Sequence, residues 1–251
     1  MSAGNVRVTP IRKQYLDIKR QYADSILLFR LGDFYETFDD DARTTARELD
    51  IVLTARKVAK DVSVPMAGIP HHALENYLGR LVARGHHVAI CDQVGSKTIN
   101  GLMPRKVVRV VTPGTIVDPG MLPEKRDNYL ASVIRSGDSA GLAYIDISTG
   151  QFRAAQLSGS DAMEQLYNEL VRISPSEILL PEDANYLATG NRIEETHLPK
   201  WKFEPAAGRQ ALQDQLQVST LAGFGIEAWP LAIGAAGAIV HYLRETQATA
   251  V

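Results

Sequence analysis

The feature that most constrains this chain is the stretch Val111 to Asn128 (VTPGTIVDPGMLPEKRDN), near its middle. It holds three prolines and two glycines without helical or strand periodicity, so no regular element runs through it. A chain of 251 residues broken there falls into two pieces, each long enough for its own core. The expected organisation is a first domain over 1–115, a linker over 116–127 and a second domain over 128–251. With 45% apolar residues, the chain can bury enough surface to offset its ordering entropy, which excludes intrinsic disorder.

In the first piece, Ile11, Tyr15, Ile18 and Tyr22 recur at helical spacing and predict a helix from Pro10 to Tyr22, capped by Thr9. ILLFRL (Ile26 to Leu31) predicts a buried strand ended by Gly32. A helix follows over Asp40 to Leu49, with Ala42, Ala46 and Leu49 on one face and Asp39 or Asp40 as cap. Ile51 to Thr54 reads as a short strand and Val64 to Pro70 as a turn-rich loop. A helix over His72 to Ala83 stops at Gly85, and His87 to Cys91 and Val107 to Thr112 complete the strands.

In the second piece, Tyr129 to Ile134, Leu142 to Ser148 and Gln151 to Gln156 form a meander, with turns at Gly137-Asp138 and Thr149-Gly150. Helices follow near Ser160 to Ile173, Arg209 to Leu216 and Leu231 to Glu245, with a strand at Glu177 to Leu180. The expected fold class is α/β in both pieces, the second in the order of a ribonuclease-H-like domain.

Several function classes are set aside. No apolar run approaches the roughly 20 residues of a membrane helix, and Met1 to Pro10 has no signal-peptide pattern, so a cytoplasmic location is expected. Cys91, the only cysteine, excludes an intramolecular disulfide and a Cys-rich zinc site. Net charge is −2, but residues 1–120 carry 17 Lys and Arg against 13 Asp and Glu, while the remainder is acidic. That split is compatible with DNA contact through the front of the chain alone.

LGDFYETFDDDA (Leu31 to Ala42) packs five carboxylates and three aromatics into twelve residues. Asp39, Asp40 and Asp41 suit a helix N-terminus and its dipole. Phe34 and Glu36, two apart in an extended segment, project to one side. They are either a core aromatic and an incidental surface acid, or a wedge and a reader of a base edge. A Phe inserted between base steps costs a few kcal/mol of unstacking, least where pairing is faulty. A carboxylate beside DNA makes sense only if it bonds a base.

Arg56 and Lys57, with Lys60 nearby, and the cluster Arg105, Lys106 and Arg109 are either solvated surface or phosphate contacts. The pairs His71-His72 and His86-His87 lack the further ligands a metal needs. Gly95-Ser96-Lys97-Thr98 fails as a phosphate loop, having Ser96 where Gly must precede Lys; no Gly-Lys dipeptide occurs in the chain. Asp146 stands where a ribonuclease-H-like nuclease keeps a metal carboxylate. Such a nuclease would also need acids such as Glu164, Glu169 or Asp183 to converge on it. The competing functions are thus a metal-dependent nuclease, using Asp146 or the carboxylates around Asp33, and a module that only binds other proteins.

The stretches TPIRKQYLDIK, ILLFRLGDFYETFDDDA, VPMAGIPHHALENYLGRLV, KVVRVVTPGT, DISTGQF and, more loosely, LAGFG (Leu221 to Gly225) resemble the N-terminal part of the bacterial MutS family of mismatch-recognition proteins. The resemblance implies a small mixed-sheet mismatch-binding domain followed by a connector domain. It places the family's Phe-x-Glu motif on Phe34 and Glu36, which would stack on a mispaired or unpaired base and hydrogen-bond it. It makes the loop with Met66, Ile69 and Pro70 a second minor-groove element, and Arg56, Arg105 and Lys106 backbone contacts. His71 departs from the usual Tyr, and Asp92 from the usual Glu.

The partner implied is duplex DNA with mismatches or small insertion loops. A longer protein is also implied, of which this chain would be a fragment. It would dimerise through core, clamp, lever and ATPase segments absent here, bind ATP and Mg²⁺ there, associate with the nucleoid, and meet a MutL-type repair partner via the connector. For these residues alone the resemblance implies no enzyme activity and no cofactor or metal.

Overall fold

Thr9 opens the first element as its position predicts. Its hydroxyl accepts from the Arg12 amide (3.4 Å) at the head of helix α1 (Pro10–Lys19), and Pro10 takes the first turn, where its missing N–H does no harm. The computed structural model describes residues 9–59, 62–95, 97–98, 101–118, 120–121, 127–187 and 193–247. Lys60, Ser96, much of the expected linker and the residues after 247 lie outside the described residues. Two compact units divide between Thr112 and Pro113.

The first unit continues with β1 (Ile26–Leu31), β2 (Phe34–Phe38), α2 (Asp39–Leu49), β3 (Thr54–Ala59), β4 (Val62–Pro70), α3 (Leu74–Val82), β5 (Val88–Gln93) and β6 (Arg105–Val111). The sheet order is β3-β4-β2-β1-β5-β6, with β1 and β5 parallel and the other neighbours antiparallel. Strand alternation then sorts the side chains. Leu27 and Phe29 of β1, Phe38 of β2 and Cys91 of β5 meet Tyr15 and Ile18 of α1, with the Tyr15 ring edge-on to Phe38 at 4.8 Å. On the other face Ala67 of β4 receives Ala42 and Ala46 of α2, and α3 lies beside α2 against β4 and β5.

The structure departs from the expectations in this unit at four places. VPMAGIP is not a loop but most of strand β4. Its prolines are tolerated because Pro65 lies past the last β2 partner of β4, at Met66, and Pro70 ends the strand. Ile51 to Leu53 form no strand, and β3 starts at Thr54. Phe34 to Phe38 is a paired strand, joined to β1 by a two-residue turn in which Gly32 has φ +59°. Finally, neither Asp39 nor Asp40 caps α2, whose N-cap position is Phe38 and has no side-chain bond. Asp39 pairs with Arg12, and Asp41 takes Lys19 Nζ (2.9 Å) and the Leu27 amide (3.0 Å). Charged and backbone donors on α1 and β1 outbid the helix's own amides for these carboxylates.

The second unit has the meander β7 (Tyr129–Ser136), β8 (Ser139–Asp146) and β9 (Gln151–Ser158), turning at Gly137 and Gly150, both with positive φ. There follow α4 (Ala162–Ile173), β10 (Glu177–Pro181), β11 (Glu194–Leu198), α5 (Pro205–Leu216) and α6 (Pro230–Thr246). The order is β11-β10-β7-β8-β9, with β10 parallel to β7 and β11 parallel to β10; the three antiparallel strands precede the rest along the chain, as expected of a ribonuclease-H-like domain, and β11 is an addition to the strands foreseen. Alternate residues face opposite ways: Ala131, Val133, Tyr144 and Ile178 meet Leu166 and Leu170 of α4, while Leu130, Ala143 and Leu179 meet α5 and α6.

Buried Glu177 ties this unit together, accepting from the Gly114 amide (2.9 Å), Thr196 Oγ1 (2.7 Å) and Tyr242 Oη (2.6 Å). The start of the proline-rich stretch is therefore built in, with Pro113, Gly114 and Thr115 buried. Helices α5 and α6 touch backbone to backbone. A Cβ on Gly237 would stand 2.1 Å from Gly208 Cα, one on Gly234 2.2 Å from the Phe203 carbonyl oxygen, and one on Gly141 of β8 2.2 Å from that of Leu231.

Candidate nucleic-acid interface

Strand β2 alternates between the two faces of its sheet, and the alternation sets Phe34 and Glu36 side by side on the face of Phe38. Phe38 is deep under α1, whereas Phe34, at the strand's other end, is 47% exposed. The turn carrying it is fixed from β4's side: the His71 amide donates to the Asp33 carbonyl (2.9 Å). Across the ladder, Phe34 faces Pro70, Glu36 faces Gly68 and Phe38 faces Met66. Gly68 leaves room here, since a Cβ would lie 3.8 Å from Glu36 Cγ and 3.9 Å from Phe34 Cδ1. Arg56 of β3 closes an ion pair on Glu36.

Phe34, Glu36, Arg56, Met66 and Pro70 thus share one face, each at least partly exposed. Ile69 does not join them. It is 1% exposed and points to the opposite face, because it alternates with Gly68 and Pro70. Its expected minor-groove contact is corrected to a core role, and Gly68 is the residue of that segment which borders the site.

Arg105 is likewise drawn into the fold. Its guanidinium lies 5.0 Å from the Phe29 ring centre and donates to the carbonyls of Arg30 (2.8 Å) and Met103 (3.1 Å) and to Gln14 Oε1 (2.9 Å). Burial lowers its pKa. Lys106, next along β6, is exposed and keeps its cation toward water. Arg109 faces Glu75 at 3.9 Å.

One pairing went unseen in the sequence. The Tyr35 hydroxyl donates to Asp92 Oδ2 (2.9 Å), joining β2 to β5 on the face opposite Phe34. Burial, reinforced by that carboxylate, pushes the Tyr35 pKa up to about 12. Tyr35 and Asp92 lie 57 residues apart, so only tertiary structure could have shown it.

Asp146, the candidate nuclease carboxylate, is 2% exposed and committed elsewhere. It accepts from Ser148 Oγ (2.6 Å) and from the amides of Ser148 (2.8 Å), Thr149 (3.2 Å) and Asn128 (3.2 Å). Burial pushes its pKa upward, but these hydrogen bonds outweigh it and hold the carboxyl below its ordinary range. Glu169 pairs with Arg172 and Asp183 with Lys200. Among the described residues no three His, Cys, Asp or Glu side chains could hold a metal ion, and no helix is long and apolar enough to cross a membrane.

The family models for MutS domain I and MutS domain II match residues 9–119 and 128–251. The DNA mismatch repair protein MutS of Dehalococcoides mccartyi is 48% identical over 242 residues, covering 96% of this chain and 28% of that protein. Its counterpart from Symbiobacterium thermophilum is 47% identical over 95% of this chain, and that from Alkaliphilus oremlandii 40% over 96%, each again across 28% of the relative. The chain therefore spans little more than a quarter of the length of these relatives. Two family models in sequence order, over two separately folded α/β units, establish that the chain belongs to the MutS family and carries its domains I and II.

Proposed function

We propose that the first unit recognises mispaired bases and small insertion loops in duplex DNA, as part of mismatch repair. The observation that carries this reading is the placement of Phe34. A ring of that size stands 47% exposed at the end of a strand whose inner half is core, where it can meet a ligand. It adjoins Glu36 and Pro70, with Met66 further along the same face opposite Phe38, a group suited to a shallow groove: an aromatic wedge, a hydrogen-bonding carboxylate and an apolar border. The ring stacks where bases are already poorly stacked, so unstacking costs least at a mismatch. Glu36 then accepts a base N–H that pairing leaves unused. Selection rests on deformability more than on base sequence.

The longer protein would supply ATP and Mg²⁺ binding, dimerisation and signalling to a MutL-type partner, in the cytoplasm and along the nucleoid. With no Gly-Lys dipeptide in the chain, no step here is routed through a nucleotide. The role inferred for these residues is binding, without turnover.

Fluorescence anisotropy of a G·T or single-insertion duplex against its matched homoduplex, at low salt, tests the reading. Preference for the lesion should fall about ten-fold in Phe34→Ala, the worth of one base–aromatic stack. Equal binding of the two duplexes by the unaltered chain would overturn it. Cleavage of labelled duplex with Mg²⁺, lost in Asp146→Asn, would revive the nuclease.

A further inference from the structure

Reading a base does not explain why the Glu36 carboxylate already has a partner. Arg56 reaches it from β3, across β4, and the two members of the pair are unequally covered: the Glu36 side chain is 13% exposed, the Arg56 side chain 37%. A guanidinium has five donors in a planar fork, and this one bonds Glu36 through Nη1 while half-open to solvent. It can therefore hold a carboxylate on one side and meet a phosphate on the other. Among the described residues no neighbouring cation substitutes for it. Arg105 is consumed by Arg30, Met103 and Gln14, and Lys57 alternates to the other face of β3.

Resting on the mismatch-binding reading, we propose that Arg56 is an exchangeable counter-ion for Glu36. It neutralises the carboxylate while the strand end faces intact duplex, and it passes to a backbone phosphate when Glu36 takes a base N–H. A bare carboxylate at the same place would be repelled by phosphates at every matched site the protein scans. A carboxylate whose charge stays shared with that cation is a weaker acceptor for a base N–H than one released from it. Arg56 is thus a positioning residue, and each mismatch engaged adds one phosphate contact.

The salt dependence of binding reads that contact directly, because each phosphate neutralised adds about −0.9 to the slope of log K against log salt. In the unaltered chain the slope for a G·T duplex should be steeper than for its matched duplex by about 0.9. Glu36→Gln, which leaves Arg56 without its carboxylate, should steepen the matched-duplex slope by a similar amount. Arg56→Ala should abolish the difference between duplexes, and Arg56→Lys should retain it, which separates lost charge from lost folding. Equal slopes for the two duplexes in the unaltered chain, or a matched-duplex slope that Glu36→Gln leaves unchanged, would overturn the exchange. Equal affinities would instead sink the mismatch-binding reading, and the Glu36→Gln slope on matched duplex still reads the ion pair in that case.

Discussion

Glu36 and Asp146 are both strand carboxylates largely withdrawn from water, and their surroundings differ in kind. Asp146 accepts four hydrogen bonds, three of them from backbone amides of its own unit that cannot move without unfolding the turn. Among the described residues Glu36 has one side-chain partner, half-exposed Arg56, and an exposed aromatic ring beside it. A carboxylate saturated by fixed donors is a building part, and one held by a single removable donor is available for a ligand. Strand position and residue type look much alike in the two cases, so the partners distinguish them.

Substitutions can break that comparison. Asp146→Ala strands three amides in the second unit and should destabilise it by about 3 kcal/mol in urea unfolding, with mismatch preference intact. A loss of preference without loss of stability would reverse the assignment. Glu36→Ala should move stability by less than about 1 kcal/mol. It should nevertheless reduce the preference for a G·T duplex about ten-fold, the worth of one good base contact.

Acid should act on Asp146 with a definite sign. Its folded pKa is depressed, so its stabilisation is complete above the unfolded carboxylate value of about 3.9 and fades as pH falls through the lower folded value. Asp146→Ala should therefore flatten the second unit's stability against pH below about 4, as followed by circular dichroism. The smallest effect is expected at Lys106. Its replacement by Ala should weaken matched and mismatched duplexes alike, by roughly three-fold near physiological salt. An unequal loss would mean that Lys106 reads more than the backbone.

Much of this was legible in residue patterns, and what was not has physical reasons. Helical spacing and alternation located α1, β1 and the β7–β9 meander within a few residues, because each puts one clear face on a core. Strand β4 was hidden by Pro65 and Pro70, whose missing donors matter only where a second neighbour needs them. Strand β11 (EETHL) was hidden by its polarity, which an edge strand paired with β10 alone can keep. At the candidate interface, alternation set Phe34 and Glu36 on one side of an extended segment, and their expected DNA role came from the family resemblance. Treating VPMAGIP as a loop lost that same alternation and left Ile69 among the contacts. Glu36 lies 20 residues from Arg56, and Arg30 and Gln14 lie 75 and 91 from Arg105, separations that no local pattern encodes.

The glycine contacts of α6 carry a mechanical consequence. Where Gly237 meets Gly208 and Leu231 meets Gly141, backbone bears on backbone with no flexible side chain between to yield. With backbone alone spacing α5, α6 and β8 at these points, a side chain introduced at Gly208, Gly237 or Gly141 would have to part the elements themselves.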